Sequence, residues 1–172
     1  MATETLNVLL EKRKTRFSRF CKAALLAVAV FVFFLLMSRI DYIVNSTLYR
    51  YGLQFSYDWA LEYWVIYTTV FVVFSAALGI TNWVTSSRTR KDTKISAALF
   101  LTILFLAIGG LQDILYFVFW AGGLPPISVV WWWAPLITLV GTWNSLIQVG
   151  FTTLMMGASV CTWLLATRTK QP

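Results

Sequence analysis

Histidine is absent from the 172 residues, and only 12% of the residues are charged. Without imidazole the chain lacks the usual ligands of haem iron, zinc and copper, and also the commonest general base. Its two cysteines, Cys21 and Cys161, are too far apart for a CxxC redox pair and too few for a thiolate cage. The two glycine pairs stand alone, so no phosphate-binding loop or nucleophile elbow is present. These absences exclude the most familiar catalytic centres.

Apolar residues dominate what is present. Hydrophobic side chains make up 59% of the chain, more than the core of a soluble domain of this size can hide. Most of this surface must therefore face lipid. The net charge of +7 would suggest nucleic acid in a soluble protein, but no extramembrane stretch is long enough to form a nucleic-acid-binding domain. We expect the lipid bilayer, not nucleic acid, to be the partner of the basic residues.

The basic residues also predict a topology. Twelve of the fourteen Lys and Arg residues fall within residues 12–22, 88–94 and 168–170, next to long apolar runs. Basic loops stay on the cytoplasmic side of a membrane, so both termini should be cytoplasmic. Arg39 and Arg50 then lie on the outer side. The sequence predicts a multi-pass protein of the cell (plasma) membrane.

Four segments are long enough to cross a bilayer, which takes about 20 apolar residues in a helix. They are residues 20–40, 61–84, 95–120 and 143–166. We therefore predict a single all-α transmembrane domain over residues 1–172, built as a four-helix bundle. Residues 1–19 alternate apolar and basic positions, which predicts an amphipathic cytoplasmic helix along the membrane.

The segment between the third and fourth helices is unusual. Residues 122–142 are too apolar for an ordinary loop, yet three prolines interrupt them. A fifth crossing would place the basic C-terminus outside, against the positive-inside trend. We predict an interfacial lid or a short re-entrant segment, with Trp131, Trp132 and Trp133 in the headgroup zone that indole rings prefer.

A layer of polar side chains is predicted at the outer ends of the helices. Asp58 and Glu62 are four residues apart and share one helix face, and Asp113 and Tyr116 are three apart and share another. Further tyrosines, including Tyr67, are interleaved in this layer. The candidate polar site consists of Asp41, Asn45, Tyr49, Asp58, Glu62, Gln112, Asp113 and Tyr116.

Two interpretations of this layer remain open. Ionisable residues inside a membrane are costly, which makes them functional candidates. No cofactor is predicted, but carboxylate, phenol and amide oxygens would suit a hard divalent metal such as calcium, manganese or iron. In the structural interpretation, Asp58 and Glu62 complement a helix dipole, Arg39 and Arg50 form ion pairs with Asp41 and Asp113, and the tyrosines form an aromatic belt.

The spacing of these polar residues also resembles that of a known family. Asn45 and Tyr49 are four apart, Glu62 follows thirteen positions later, and Gln112 and Tyr116 are again four apart. Similar spacings occur in the C-type membrane subunit of copper ammonia and methane monooxygenases, as an Asp-x3-His, a second His and a later Asn-x3-His. Every histidine ligand is missing here, so the resemblance implies a related scaffold with a lost or rebuilt site.

The leading functional hypothesis is a small subunit or accessory partner of a membrane complex, or a homo-oligomer. The extramembrane segments are short, so partners should contact the chain within the bilayer. The outer half of the fourth helix is polar, and it should turn inward or toward another subunit. Two alternatives remain: a metal-binding or catalytic subunit that uses the carboxylate and tyrosine site, and a small proton- or cation-coupled carrier in which Asp113 titrates.

Overall fold

The computed structural model describes the backbone of residues 2–53, 57–134 and 136–168, and the side chains of these residues except 2–20, 57–61 and 138. The described backbone is helical and contains no strand, which confirms the predicted all-α class. The helices are α1 (Ala2–Arg50), α2 (Tyr57–Val84), α3 (Arg90–Ile108), α4 (Leu111–Phe119), α5 (Ile137–Val140) and α6 (Ser145–Thr167).

Three helical segments are long and apolar enough to cross a membrane: Cys21–Arg50, Glu62–Val84 and Ser145–Thr167. The predicted third helix, residues 95–120, differs from the structure because it is broken. Its two halves, α3 and α4, meet at a bend of 58° and count as a fourth span only if they cross together. The described residues thus contain three helices, or four if the bent pair counts as one span, that are long and apolar enough to cross a membrane. α1 runs unbroken from Ala2, and the side chains of the predicted amphipathic segment 1–19 lie outside the described residues.

Local hydrogen bonds explain where α3 and α6 begin. Thr89 and Asp92 form a capping box at the start of α3, in which each side chain accepts a hydrogen bond from the backbone N–H of the other residue. Asn144 caps α6, because its side-chain oxygen accepts hydrogen bonds from the N–H groups of Leu146 and Ile147. Both caps satisfy backbone donors that a helix start leaves without a partner.

The core lies between α1, α2 and the broken pair. α3 is central and packs against both α2 and α6, whereas α4 packs mainly against α1. Aromatic rings fill much of the gap between α1 and α2, where Phe33 stacks on Phe74 with ring centroids 3.6 Å apart. The buried residues of this core are Val30, Phe34, Met37, Tyr67, Phe71, Leu99, Ile103 and Leu115.

Residues 121–134 and 136–144 fold over the end of the bundle where α1 ends and α2 begins. We call these residues the tryptophan lid and this end of the bundle the distal end. Trp131 and Trp143 are buried in a second small core against α4 and α6. The backbone N–H of Trp131 donates to the backbone carbonyl oxygen of Trp143, 2.8 Å away. Trp131 therefore packs inside the protein, whereas Trp132 is 41% exposed; the position of these indole rings relative to the headgroup zone stays a prediction.

Candidate functional site

A cavity of about 1030 Å³ lies under the tryptophan lid at the distal end. Its walls come from the last turns of α1, the first half of α2, the junction of α3 with α4, and lid residues Trp132, Trp133 and Leu136. The surface of the walls is mainly apolar, and polar groups are gathered in part of it. The size and the character of the walls match those of ligand sites in proteins, which range from about 300 to 1,000 Å³.

The cavity brings together most of the side chains that the sequence nominated. Glu62, in contrast, is exposed and lies outside the cavity wall, and the side chain of Asp58 lies outside the described residues. Six of the eight predicted site residues line the cavity: Asp41, Asn45, Tyr49, Gln112, Asp113 and Tyr116.

Asp41 and Gln112 form the polar centre of the cavity. The side-chain Nε2 of Gln112 donates a hydrogen bond to Oδ2 of Asp41, which links α4 to α1. Both side chains are buried, at 6% and 7% exposure. The Tyr67 hydroxyl is also buried and close enough to Asp41 to interact electrostatically with it, but it completes no hydrogen bond of good geometry with any described residue. The centre thus keeps unused hydrogen-bonding capacity.

Asp113 is the second acid of the cavity wall. It is the third residue of α4, near the helix N-terminus, whose dipole favours a negative charge. Its carboxylate faces Asp41 across the site, and it accepts no hydrogen bond from any side chain or backbone group of the described residues. Asp113 is therefore an acid held in a largely apolar cavity and left open toward the cavity space.

Arg39 and Arg50 lie at the distal end. Among the described residues, neither arginine forms the ion pair with a carboxylate that the structural interpretation expects. The guanidinium of Arg39 lies over the rings of Trp120 and Tyr42, 4.6 and 5.3 Å from their centroids. These are cation–π distances. Arg50 is exposed at the end of α1. Neither arginine lines the cavity, so the charges of Asp41 and Asp113 are not neutralised there.

The break between α3 and α4 sets the direction in which Gln112 and Asp113 point. Gly110 adopts a left-handed conformation with φ of 68°, which favours glycine. The carbonyl oxygen of Gly109 accepts a hydrogen bond from Gln148 Nε2 of α6 at 2.8 Å, and the Thr152 hydroxyl lies 2.5 Å from the same oxygen. These side chains replace a helical hydrogen bond that the break removes, as membrane helices require.

The same contacts account for the polar half of α6. Gln148 also accepts a hydrogen bond from Trp143 Nε1 at 2.7 Å, and Ser145 donates to the carbonyl oxygen of Pro125 in the lid at 2.5 Å. Thr152, like Ser145 and Gln148, is buried, whereas Thr153 is exposed and bonds within its own helix. The expectation that this face turns inward is met by Ser145, Gln148 and Thr152.

Some wall residues were missed when only the sequence was considered. Tyr67 belonged to the noted tyrosine layer, so its spacing along α2 was a usable signal. No spacing pattern in the sequence marked Trp64 or Trp133 as a residue of the site. The indole Nε1 of Trp64 donates to the backbone carbonyl oxygen of Trp133, 2.9 Å away and 69 residues along the chain, and this bond fastens the lid to α2.

The oxygen atoms of the cavity could contact a cation, but the described residues contain no group of three or more His, Cys, Asp or Glu side chains placed to hold a metal ion. Among the described residues, Asp41 and Asp113 supply the carboxylates of the wall. A hard metal bound here would take further oxygens from Gln112, Asn45 or water.

No family model, curated protein or solved structure matches this chain.

Proposed function

We propose that this protein binds a small molecule within the membrane, as a small carrier or a ligand-binding membrane protein. The observation that carries the proposal is the cavity of about 1030 Å³ with a polar centre under the tryptophan lid. A bundle whose only task was to fill a membrane would gain from packing this volume with side chains, because empty space forfeits dispersion contacts.

The polar residues support a binding role over a purely structural one. Burying a carboxylate without a charged partner is expensive, and such residues in membrane proteins usually mark substrate or ion pathways. Asp41 receives one hydrogen bond from Gln112, and Asp113 receives none from the described residues. A ligand with complementary polar groups would offset this cost.

The lid supports reversible access to the cavity. It contains one short helix, α5, and is held to the bundle by the small core around Trp131 and Trp143 and by a few specific hydrogen bonds, among them Trp64 to Trp133 and Ser145 to Pro125. Segments with few regular backbone hydrogen bonds open at lower free energy than helices do. We infer a topology of four spans with cytoplasmic termini, in which the lid and cavity lie at the outer side.

The accessory-subunit hypothesis drew on the polar face of the last helix as a contact surface. Gln148 and Thr152 use that face inside the protein, against the α3–α4 break. This face therefore offers little to an outside partner, and the cavity is the better functional candidate.

Two neighbouring valines on α2 allow a matched test. Val72 is 40% exposed and lines the cavity, whereas Val73 is 62% exposed and does not line it. The wild type, Val72→Trp and Val73→Trp would be purified from the host membrane and compared by native mass spectrometry. We expect the wild type and Val73→Trp to carry the same small molecule and Val72→Trp to lack it.

Two results would contradict the proposal. If Val72→Trp, folded as judged by its melting temperature, retains the same copurifying molecules as Val73→Trp, the cavity is not their binding site. A wild type that carries nothing beyond bulk lipid also contradicts a bound ligand.

A further inference from the structure

The charged residues on the cavity wall share one sign. Among the described residues that line the cavity, Asp41 and Asp113 are acidic and none is basic. Arg39, the nearest base of α1, contacts the rings of Tyr42 and Trp120 instead of a carboxylate. A ligand that enters the cavity therefore meets two acidic side chains with no basic partner on the wall, and a cation would stabilise their charged form.

The two acids are not equivalent. Asp41 is fixed by its hydrogen bond from Gln112, which orients the carboxylate and uses part of its accepting capacity. Asp113 has no hydrogen-bond donor among the described residues and borders the open space. Asp113 is thus the group best placed to contact a ligand directly, and Asp41 is a second acid, oriented by Gln112, on the same wall.

Aromatic rings line the same cavity as these acids. Tyr67, Tyr116, Phe117, Trp64 and Trp133 all belong to the wall. The electron-rich faces of such rings attract organic cations, and an aromatic cage next to a carboxylate is a common arrangement for binding amines and quaternary ammonium groups. An anion or a strongly hydrated neutral molecule would gain nothing from this combination.

The size of the cavity favours an organic cation over a metal ion as the ligand. A metal ion needs several oxygen ligands within bonding distance, and the described residues hold no group of three or more acidic, cysteine or histidine side chains suited to this. The cavity is also far larger than one ion, and its walls are mainly apolar. Apolar substituents on a charged nitrogen would fill that space and bury surface against the walls.

We propose that the cavity binds an organic monocation, a protonated or quaternary amine with apolar substituents, with its charge beside Asp113 and its body against the aromatic wall. This inference rests on the proposed function, since it names the ligand class of the same cavity.

Two ions of nearly identical shape and opposite charge provide the test. Tetraphenylphosphonium and tetraphenylborate would be titrated into purified wild-type protein, Asp113→Asn, Val72→Trp and Glu62→Gln by calorimetry in one detergent. Glu62 is an exposed acid outside the cavity and serves as the matched control for loss of a negative charge. We expect the cation to bind the wild type and Glu62→Gln alike, at least tenfold more weakly to Asp113→Asn, and not to Val72→Trp.

The outcomes separate the ligand class from the cavity itself. If the borate binds the wild type as tightly as the phosphonium, or if the phosphonium does not bind it, the cation inference is overturned. If Asp113→Asn binds normally while Val72→Trp does not, the cavity remains a binding site but Asp113 does not recognise charge. Equal binding by Val72→Trp and the wild type overturns both proposals. The wild-type comparison of the two ions decides the question even if Asp113→Asn does not fold.

Discussion

The side-chain amide of Gln148 on α6 donates a hydrogen bond to the backbone carbonyl oxygen of Gly109, 2.8 Å away, at the bend between α3 and α4. One side chain thus connects the last helix to the interruption that directs Gln112 and Asp113 toward the cavity. A backbone carbonyl that is freed inside a membrane has no water to bond. The hydrogen bond from Gln148 therefore offsets the free-energy cost of the bend.

Loss of the second side chain at this carbonyl should destabilise the protein. Thr152→Val removes the hydroxyl that lies 2.5 Å from the Gly109 oxygen. We expect it to lower the free energy of unfolding by about 1 kcal/mol, a typical net value for one hydrogen bond. Thr153→Val is the matched control, because its exposed hydroxyl bonds only the carbonyl of Val149 in the same helix. Equal melting temperatures for the two variants in detergent would contradict the prediction.

Gly110 should not tolerate a side chain. Its φ of 68° costs an L-residue about 1–2 kcal/mol, and a Cβ there would collide with the side-chain amide of Gln148. We expect Gly110→Ala to lower the melting temperature clearly, whereas Gly157→Ala in α6, where a Cβ meets no atom within 4 Å, should leave it nearly unchanged. If Gly110→Ala is as stable as the wild type, the bend does not depend on this glycine.

The hydrogen bond between Trp64 and the lid should control how often the lid opens. Trp64→Phe keeps an aromatic ring but removes the Nε1 donor that contacts the Trp133 carbonyl oxygen. We expect faster amide hydrogen exchange across residues 121–134, with exchange in α6 unchanged. Trp83→Phe is the control, since its indole donates to Thr93 near the other end of α2. Lid exchange that does not change in Trp64→Phe would show that other contacts hold the lid closed.

The number of crossings can be decided with reporters. If α3 and α4 cross the membrane together, a reporter fused after Pro172 lies on the same side as one inserted in the turn at residues 85–87. If the bent pair enters and leaves on one side, the two reporters lie on opposite sides. We expect both in the cytoplasm, because the basic residues flank these positions. A C-terminal reporter found outside would contradict the four-span topology.

Much of the fold follows from the lengths of the apolar runs. The predicted segment 143–166 and the observed α6 (Ser145–Thr167) nearly coincide, because about 20 apolar residues ended by polar ones leave few alternatives. The break in the third segment was not predicted. A glycine pair also occurs in straight membrane helices, and it breaks this one where Gln148, 39 residues away in sequence, can bond the freed carbonyl.

The candidate site was predicted in outline. Acids, amides and phenols near helix ends identified Asp41, Gln112 and Asp113, which the structure brings to one cavity. Glu62 was included because it shares a helix face with Asp58, but spacing along one helix does not tell which face meets the neighbouring helices. The spacing of residues in the sequence could not predict that the lid contributes to the cavity wall, because Trp64 and Trp133 meet only through the tertiary fold.

The interruption at Gly109 and Gly110 gives the two halves of the broken helix different packing partners. α3 packs with α2 and α6, whereas α4 packs mainly with α1. A swing of α1 about this joint would therefore carry α4 along, so that Asp41 and Gln112 travel as one unit while Tyr67 stays with α2. The cavity would widen in this way without separating Asp41 from Gln112, but the aromatic contacts between α1 and α2, such as Phe33 on Phe74, would have to loosen. The two glycines would then serve as a hinge, and the moving part, α1 together with α4, would carry both Asp41 and Asp113.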